Sequence, residues 1–208
     1  MICKLVTAPA FEPVDLVTAK LHLKIDESAE ASVEDSLVQS YIKAARQHVE
    51  DITRRALITS TWDYCLPCWP RCDSIKLPLG NLQNAAGPPS TAPIVSWKDT
   101  DGTATTLTVT TDYLVETNDD QCGRIVLPYG VPWPSGSLYP SNAITVRFVA
   151  GWTTAELVPF TIKAAILLAL SDLYENRSAQ EVGTTMTAIL ENKTVDRLLA
   201  SSRLFDEF

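Results

Sequence analysis

The spacing of apolar residues predicts two long helices, one in each half of the chain. The first covers residues 32–56, where one stripe repeats at intervals of four and three as a helix face does, through Val38, Ile42, Ala45, Val49, Ile52 and Ala56. The second covers residues 159–176 and is apolar almost all round. A helix of that kind must be covered on more than one side, so we expect contacts between subunits on it.

Two shorter helices are predicted near the ends of the chain. Residues 13–23 form one, and Asp15 is its expected N-cap because a carboxylate there accepts the free amide protons of the first turn. Thr194 is the expected cap of a last helix that continues to about Arg203.

Between Leu57 and Gly151 the helical period disappears and β-prone segments replace it. Strands are predicted at residues 59–66, 94–97, 105–110, 113–116, 125–127 and 143–150, with a hairpin turn at 98–102 and loops at 80–93 and 128–140. The predicted class is α+β, a helical bundle of about four helices, two of them long, with an inserted antiparallel β unit. Residues 1–57 and 151–208 would form the helical domain and residues 58–150 the inserted β subdomain.

Charge and composition restrict the function. The 208 residues carry a formal net charge of −8, which argues against a sequence-independent grip on nucleic acid, since that needs cations to neutralise phosphates. No secretory signal precedes the first helix, and the longest strictly apolar run, residues 164–170, is far below the roughly 20 residues that span a bilayer. We expect a soluble protein made in a cytoplasm, without membrane contact.

Three cysteines offer the sharpest chemical hypothesis. Cys65 and Cys68 form a C-x-x-C pair that Cys72 follows, which is compatible with a redox dithiol or with part of a zinc site. The β context and Pro67 leave no helix N-terminus to lower a thiol pKa, and a fourth ligand would have to be distant. We therefore predict no catalytic residue, no metal site and no cofactor, and keep a zinc- or thiol-dependent enzyme as an alternative.

An ordered set of segments covers nearly the whole chain and resembles a known family. These segments are LVTAPAFEPVDLVTAKLHLKID, AARQHVEDITRRALITSTWDYCLPCWP, DYLVETNDDQCGRIVLPYGVPWP, NAITVRFVAGW, VPFTIKAAILLALSDLYENR and VDRLLASSRLF. In this order they resemble the head–tail connector (adaptor) proteins of tailed bacteriophages and prophages. The stretch at residues 80–93 departs from the tighter strand and turn expected there.

The resemblance implies a structural role in the virion neck. Members of that family assemble as a ring, commonly a dodecamer, beneath the portal protein. The ring extends the channel for double-stranded DNA, which passes without sequence-specific binding, and it offers a platform to the next head-completion or tail protein. The protein would be made in the cytoplasm of the host bacterium. Another neck protein (head–tail stopper or tail terminator) and a general binding module remain alternatives.

Two groups of residues are candidates for contacts in such an assembly. The predicted contact between subunits uses the long helices, at Val38, Ile42, Val49, Ile166, Leu167, Leu170 and Tyr174. The predicted contact with the portal uses the amphipathic chain end, at Leu204, Phe205 and Phe208.

Overall fold

The computed structural model describes residues 2–25, 31–84, 91–119, 121–175 and 193–204. The chain divides into two compact units. The helical unit comprises Phe11–Thr53 and Thr154–Phe208, and the β unit comprises Met1–Ala10 and Arg54–Thr153. Helices and antiparallel sheets occur together, so the predicted α+β class is confirmed.

The described part of the helical unit contains four α-helices and one short 3-10 helix. They are α1 (Leu16–Leu23), α2 (Ala31–Thr53), the 3-10 helix (Ala155–Leu157), α3 (Phe160–Glu175) and α4 (Lys193–Leu199). Asp15 caps α1 as predicted, because its Oδ1 accepts the Thr18 amide proton at 3.2 Å. The last helix ends at Leu199, before the predicted Arg203.

The core of the helical unit uses the apolar stripes that the sequence reveals. Its buried side chains on α2, α3 and α4 are Val38, Ile42, Ala45, Val49, Ile162, Ala165, Ile166, Ala169, Leu170, Val195 and Leu199. The predicted stripe continues to Ala56, but α2 ends at Thr53 because Arg54 adopts a left-handed conformation with φ of 55°. Ala56 packs instead in the core of the β unit.

The β unit consists of two antiparallel sheets. Its strands are β1 (Ile2–Thr7), β2 (Ser60–Leu66), β3 (Ser74–Gly80), β4 (Ile94–Lys98), β5 (Ala104–Thr106), β6 (Leu114–Glu116), β7 (Cys122–Val126) and β8 (Ile144–Ala150). The larger sheet has the order β1-β2-β8-β4-β5, and the smaller has the order β3-β7-β6. Both sheets contribute to one hydrophobic core, with Tyr64, Val146 and Phe148 from the first and Ile75 and Ile125 from the second.

Two strands were not predicted, and both have a physical reason. All six residues of β1 are exposed, so the alternation of a half-buried strand is absent from its sequence. β3 contains Pro78, which cannot donate to a ladder, and its register shifts between Lys76 and Gly80. Because β1 pairs with β2, residues 1–10 lie in the β unit, whereas the sequence-based boundaries assign them to the helical domain.

A tight junction follows β8. Gly151 has φ of +112°, and a Cβ atom there would lie 2.4 Å from the carbonyl carbon and oxygen of Ile58. The Gly151 amide also donates to the Asn81 carbonyl at 2.9 Å. The chain therefore passes so close to the residues before β2 that only a residue without a side chain fits.

Candidate interaction surfaces

The predicted subunit-contact residues lie mostly inside the helical unit. Val38, Ile42, Val49, Ile166 and Leu170 are at most 2 % exposed, so they leave no side-chain area for a neighbour. The physical reason is that α2 and α3 turn their apolar stripes inward within the same subunit. Periodicity alone does not distinguish cover by the chain's own helices from cover by another copy.

The other two predicted contact residues keep some accessible surface. Leu167 and Tyr174 on α3 are partly buried. The Tyr174 hydroxyl donates to Glu34 Oε2 on α2 at 3.0 Å. They can therefore contribute to a contact only through the edge of α3.

Of the three predicted portal-contact residues, only Leu204 belongs to the described part of the chain. Leu204 is 7 % exposed, and its amide donates to the Thr53 carbonyl at 3.1 Å. Arg203 Nε donates to the Ile52 carbonyl at 3.3 Å, so this segment is fixed to the end of α2. Phe205 and Phe208 lie outside the described residues.

Helix α1 is apolar on two opposite faces. Ala19 is fully buried, while Val17 and Leu21 are 66 % and 80 % exposed and lie one turn apart. Near the start of α3, Phe160 is 83 % exposed. Exposed apolar side chains grouped along one element are typical of protein contact surfaces. Sequence reasoning missed these residues, because an apolar residue on a short helix does not itself reveal whether it faces the core or a partner.

A buried ion pair fixes the segment that leads into α1. Arg46 on α2 is 6 % exposed and donates from Nε to Glu12 Oε2 at 2.7 Å. It also pairs with Glu50, one helical turn further along α2. The guanidinium therefore has a carboxylate on each side, which compensates for its removal from water.

The helical unit also contains an open cavity of about 610 Å³ between α2, α3 and α4. Six of its lining residues are apolar, Ile52 and Leu173 among them, and the other four are His48, Asp172, Asp196 and Arg203. His48 is exposed. The lining contains no arrangement of nucleophile and base that would indicate acyl transfer or hydrolysis.

In the described part of the β unit, Cys3 and Cys65 lie on adjacent strands and no third thiol joins them. Cys65 Sγ lies 4.0 Å from Thr145 Oγ1, Cys72 Sγ donates to the Ser74 carbonyl at 3.1 Å, and Cys68 is exposed. Within the described ranges, no group of three or more His, Cys, Asp or Glu side chains is placed to hold a metal ion. Partial loss of hydration within the sheet, together with nearby Cys65 and Asp63, raises the pKa of the Cys3 thiol to about 11, the opposite of what an activated thiol requires.

Among the residues that the structure describes, no helix combines the length and apolarity that crossing a bilayer requires.

The complete chain superimposes on chains from three solved assemblies. One is described as the neck of an empty gene transfer agent particle computed with C6 symmetry, with a TM-score of 0.78 and 21 % identity. The second is the virion of a native gene transfer agent particle, with a TM-score of 0.76 and 21 % identity. The third is the neck of a native particle computed with C12 symmetry, with a TM-score of 0.71 and 20 % identity. Each alignment covers 100 % of this chain and 98 % of the other.

This chain has the fold of those particle components. The likeness extends over both units, so it includes the helical unit and the β unit together. No family model matches the sequence, and no curated protein matches it. The shared fold agrees with the sequence resemblance to head–tail connectors.

Proposed function

We propose that this chain is the structural head-to-tail connector (adaptor) of a tailed bacteriophage or phage-like particle. In this role it forms a ring beneath the portal, extends the DNA channel and provides a docking platform for further neck or tail proteins. The observation that carries the proposal is the full-length likeness to chains of gene transfer agent particles, at a TM-score of up to 0.78. It acts through surfaces, not through catalysis.

The symmetry of the similar assemblies supports a ring. Two of them are necks computed with C6 and C12 symmetry, and a ring of twelve copies is compatible with both. A ring requires a heterologous contact, in which two different surfaces of the same chain meet and the rotation closes. We propose a dodecamer that is made in the cytoplasm of the host bacterium and resides in the virion neck.

The exposed apolar side chains support association of the helical unit. Val17, Leu21 and Phe160 are mostly exposed to water, and covering them with another subunit would be favourable because their side chains are apolar. We place the contact between subunits on these residues together with the accessible parts of Leu167 and Tyr174. The buried members of the predicted set contribute indirectly, because they hold α2 and α3 in place.

The negative charge of the chain supports a channel through which DNA passes and is not held. A net charge of −8 repels a phosphate backbone, and the ring needs no base-specific contact to enclose a duplex.

Electron microscopy of the purified chain mixed with the portal protein of the same genome tests the function. We expect closed rings stacked coaxially on the portal, with portal alone as the control. Binding that occurs only after another neck protein has been added would instead favour a stopper or terminator. A chain that associates with neither itself nor the portal, or that turns over a substrate, would refute the proposal.

A further inference from the structure

The larger sheet of the β unit has two open edges. β1 pairs with β2 on one side, and β5 pairs with β4 on one side. Among the described strands, none pairs with the outer side of either. An edge strand presents unpaired N–H and C=O groups that another strand can bind.

Hydrogen bonds inside the sheet determine which backbone groups face outward on β5. The Leu107 amide donates to the Val95 carbonyl at 2.8 Å, and the Asp99 amide donates to the Thr103 carbonyl at 3.1 Å. Bonded pairs alternate along an antiparallel ladder, so Thr105, opposite Trp97, also directs its N–H and C=O toward β4. Ala104 and Thr106 therefore direct theirs away from the sheet.

The same alternation of hydrogen-bonding direction, followed from strand to strand across the sheet, identifies the outward groups on β1. The Lys98 amide donates to the Ala143 carbonyl at 2.8 Å. By the alternation, Thr145 and Arg147 of β8 also form their hydrogen bonds with β4. The β8 residues between them form theirs with β2. In turn Asp63 and Cys65 of β2 bond to Lys4 and Ile2 of β1. Cys3 and Leu5 then direct their N–H and C=O groups outward, two residues apart as on β5.

The core face of the sheet continues to β1 without cover. Leu5 lies opposite Trp62 in the register, and Cys3 lies opposite Tyr64. Tyr64 is 9 % exposed, whereas Leu5 on the same face is 39 % exposed. The apolar face of the sheet therefore extends to β1, but the side chains that cover this face at β2 do not cover it at β1.

The chain segments around the two edges differ in charge, and β5 itself carries no charged side chain. Lys4 is the only charged side chain among residues 2–11. Residues 99–119, which include β5, contain acidic side chains and neither lysine nor arginine. Charge complementarity of this kind favours contact between the two different edges over contact between two identical ones.

We propose that the β5 edge of one copy pairs with the β1 edge of a second copy, so that one sheet continues from subunit to subunit. Every neighbouring pair in the sheet is antiparallel, so β1 and β5 run in the same direction and the new pair is parallel. A contact between unlike edges propagates in one direction, and it forms a ring when the rotation between neighbouring copies closes. This inference rests on the proposed function, which supplies the second copy.

Thr106→Pro tests the role of the outward backbone groups. Proline removes the outward N–H of Thr106 without removing a bond within its own sheet, and edge strands tolerate it. We expect association to weaken roughly tenfold, because a bond between subunits is lost and its acceptor is left unpaired. The thermal midpoint of the isolated chain should stay unchanged. Thr106→Ala retains the N–H and should assemble as the natural chain does.

Crosslinking provides a second test that does not depend on the proline variant folding. Leu5→Cys and Thr106→Cys are combined in a chain whose five natural cysteines are replaced by serine (Cys3, Cys65, Cys68, Cys72 and Cys122), and the chain is treated with a short bis-maleimide. We expect a ladder of covalent oligomers from the double-cysteine chain, and only monomers from each single-cysteine chain.

The outcomes separate this inference from the proposed function. Rings that form on the portal but give no ladder, or that assemble fully with Thr106→Pro, overturn the edge pairing and leave the connector role intact. Covalent dimers from Leu5→Cys alone would indicate pairing of two β1 strands and would also overturn it. If the natural chain forms no ring with the portal at all, both proposals fail.

Discussion

At the scale of single residues, burial determines how much an ion pair contributes to the stability of the fold. Arg46 is 6 % exposed and lies between Glu12 and Glu50. Arg124 and Glu116 in the β unit form a pair of comparable length, but their side chains are 49 % and 42 % exposed. Water stabilises the exposed charges whether or not they are paired, whereas the buried ones depend on each other.

Arg46→Ala should therefore lower the free energy of unfolding by about 3 kcal/mol, since two half-buried carboxylates lose their cation. Arg124→Ala, the control, should lower it by less than about 1 kcal/mol. Urea unfolding followed by circular dichroism measures both changes. Equal effects of the two substitutions would mean that water reaches Glu12 and Glu50 freely.

At the scale of elements, α1 combines a structural face with a face that has no partner among the described residues of its unit. Ala19 on the inner face is fully buried, and Leu21 on the outer face is 80 % exposed. The two residues are separated by a single position, so the same helix allows a matched comparison.

Val17→Ser with Leu21→Ser should weaken self-association or portal-dependent ring formation roughly tenfold or more, because two apolar side chains are lost from the contact. The stability of the isolated chain should change by less than about 0.5 kcal/mol, as for surface substitutions generally. Ala19→Ser should do the reverse, lowering stability while leaving the contact intact. Sedimentation velocity and thermal melting measure the two effects. Undiminished association of the double variant would exclude the outer face of α1 from the contact.

The elements also mark how far the sequence predicts the structure. The helical stripes and the alternation in residues 143–150 identify α1, α2, α3 and β8, because one face of each is buried within the same subunit. β1 escapes prediction because none of its residues is buried within the subunit. For the same reason, the sequence favoured Val38 and Ile166 as contact residues, while the exposed residues of α1 and β1 were not singled out. The apolar period of a sequence indicates that one face of an element is covered, but it does not indicate whether the same subunit or another one covers it.

At the scale of the whole molecule, the chain end is proposed to connect this protein to the portal. Leu204 is fixed to the end of α2 through the Thr53 carbonyl, so its removal would damage the helical unit itself. A truncation that tests portal binding should therefore begin at Phe205 and keep Leu204.

We expect truncation after Leu204 to preserve the melting temperature and to reduce portal pull-down at least roughly tenfold, since two phenylalanine side chains are lost. Phe205→Ser with Phe208→Ser should reproduce the loss, while Asp206→Asn with Glu207→Gln serves as the control that keeps the aromatic rings. Portal binding that survives the truncation would place the portal contact elsewhere on the chain.

The junction at Gly151 has a consequence for how this lineage diverges. A methyl group there would lie 2.4 Å from the backbone of Ile58, and φ of +112° is strained for any side chain. Substitution therefore meets two independent barriers that no repacking of nearby side chains relieves, because the obstacle is main chain. When sequences of distant homologues are collected, a glycine should persist at this site.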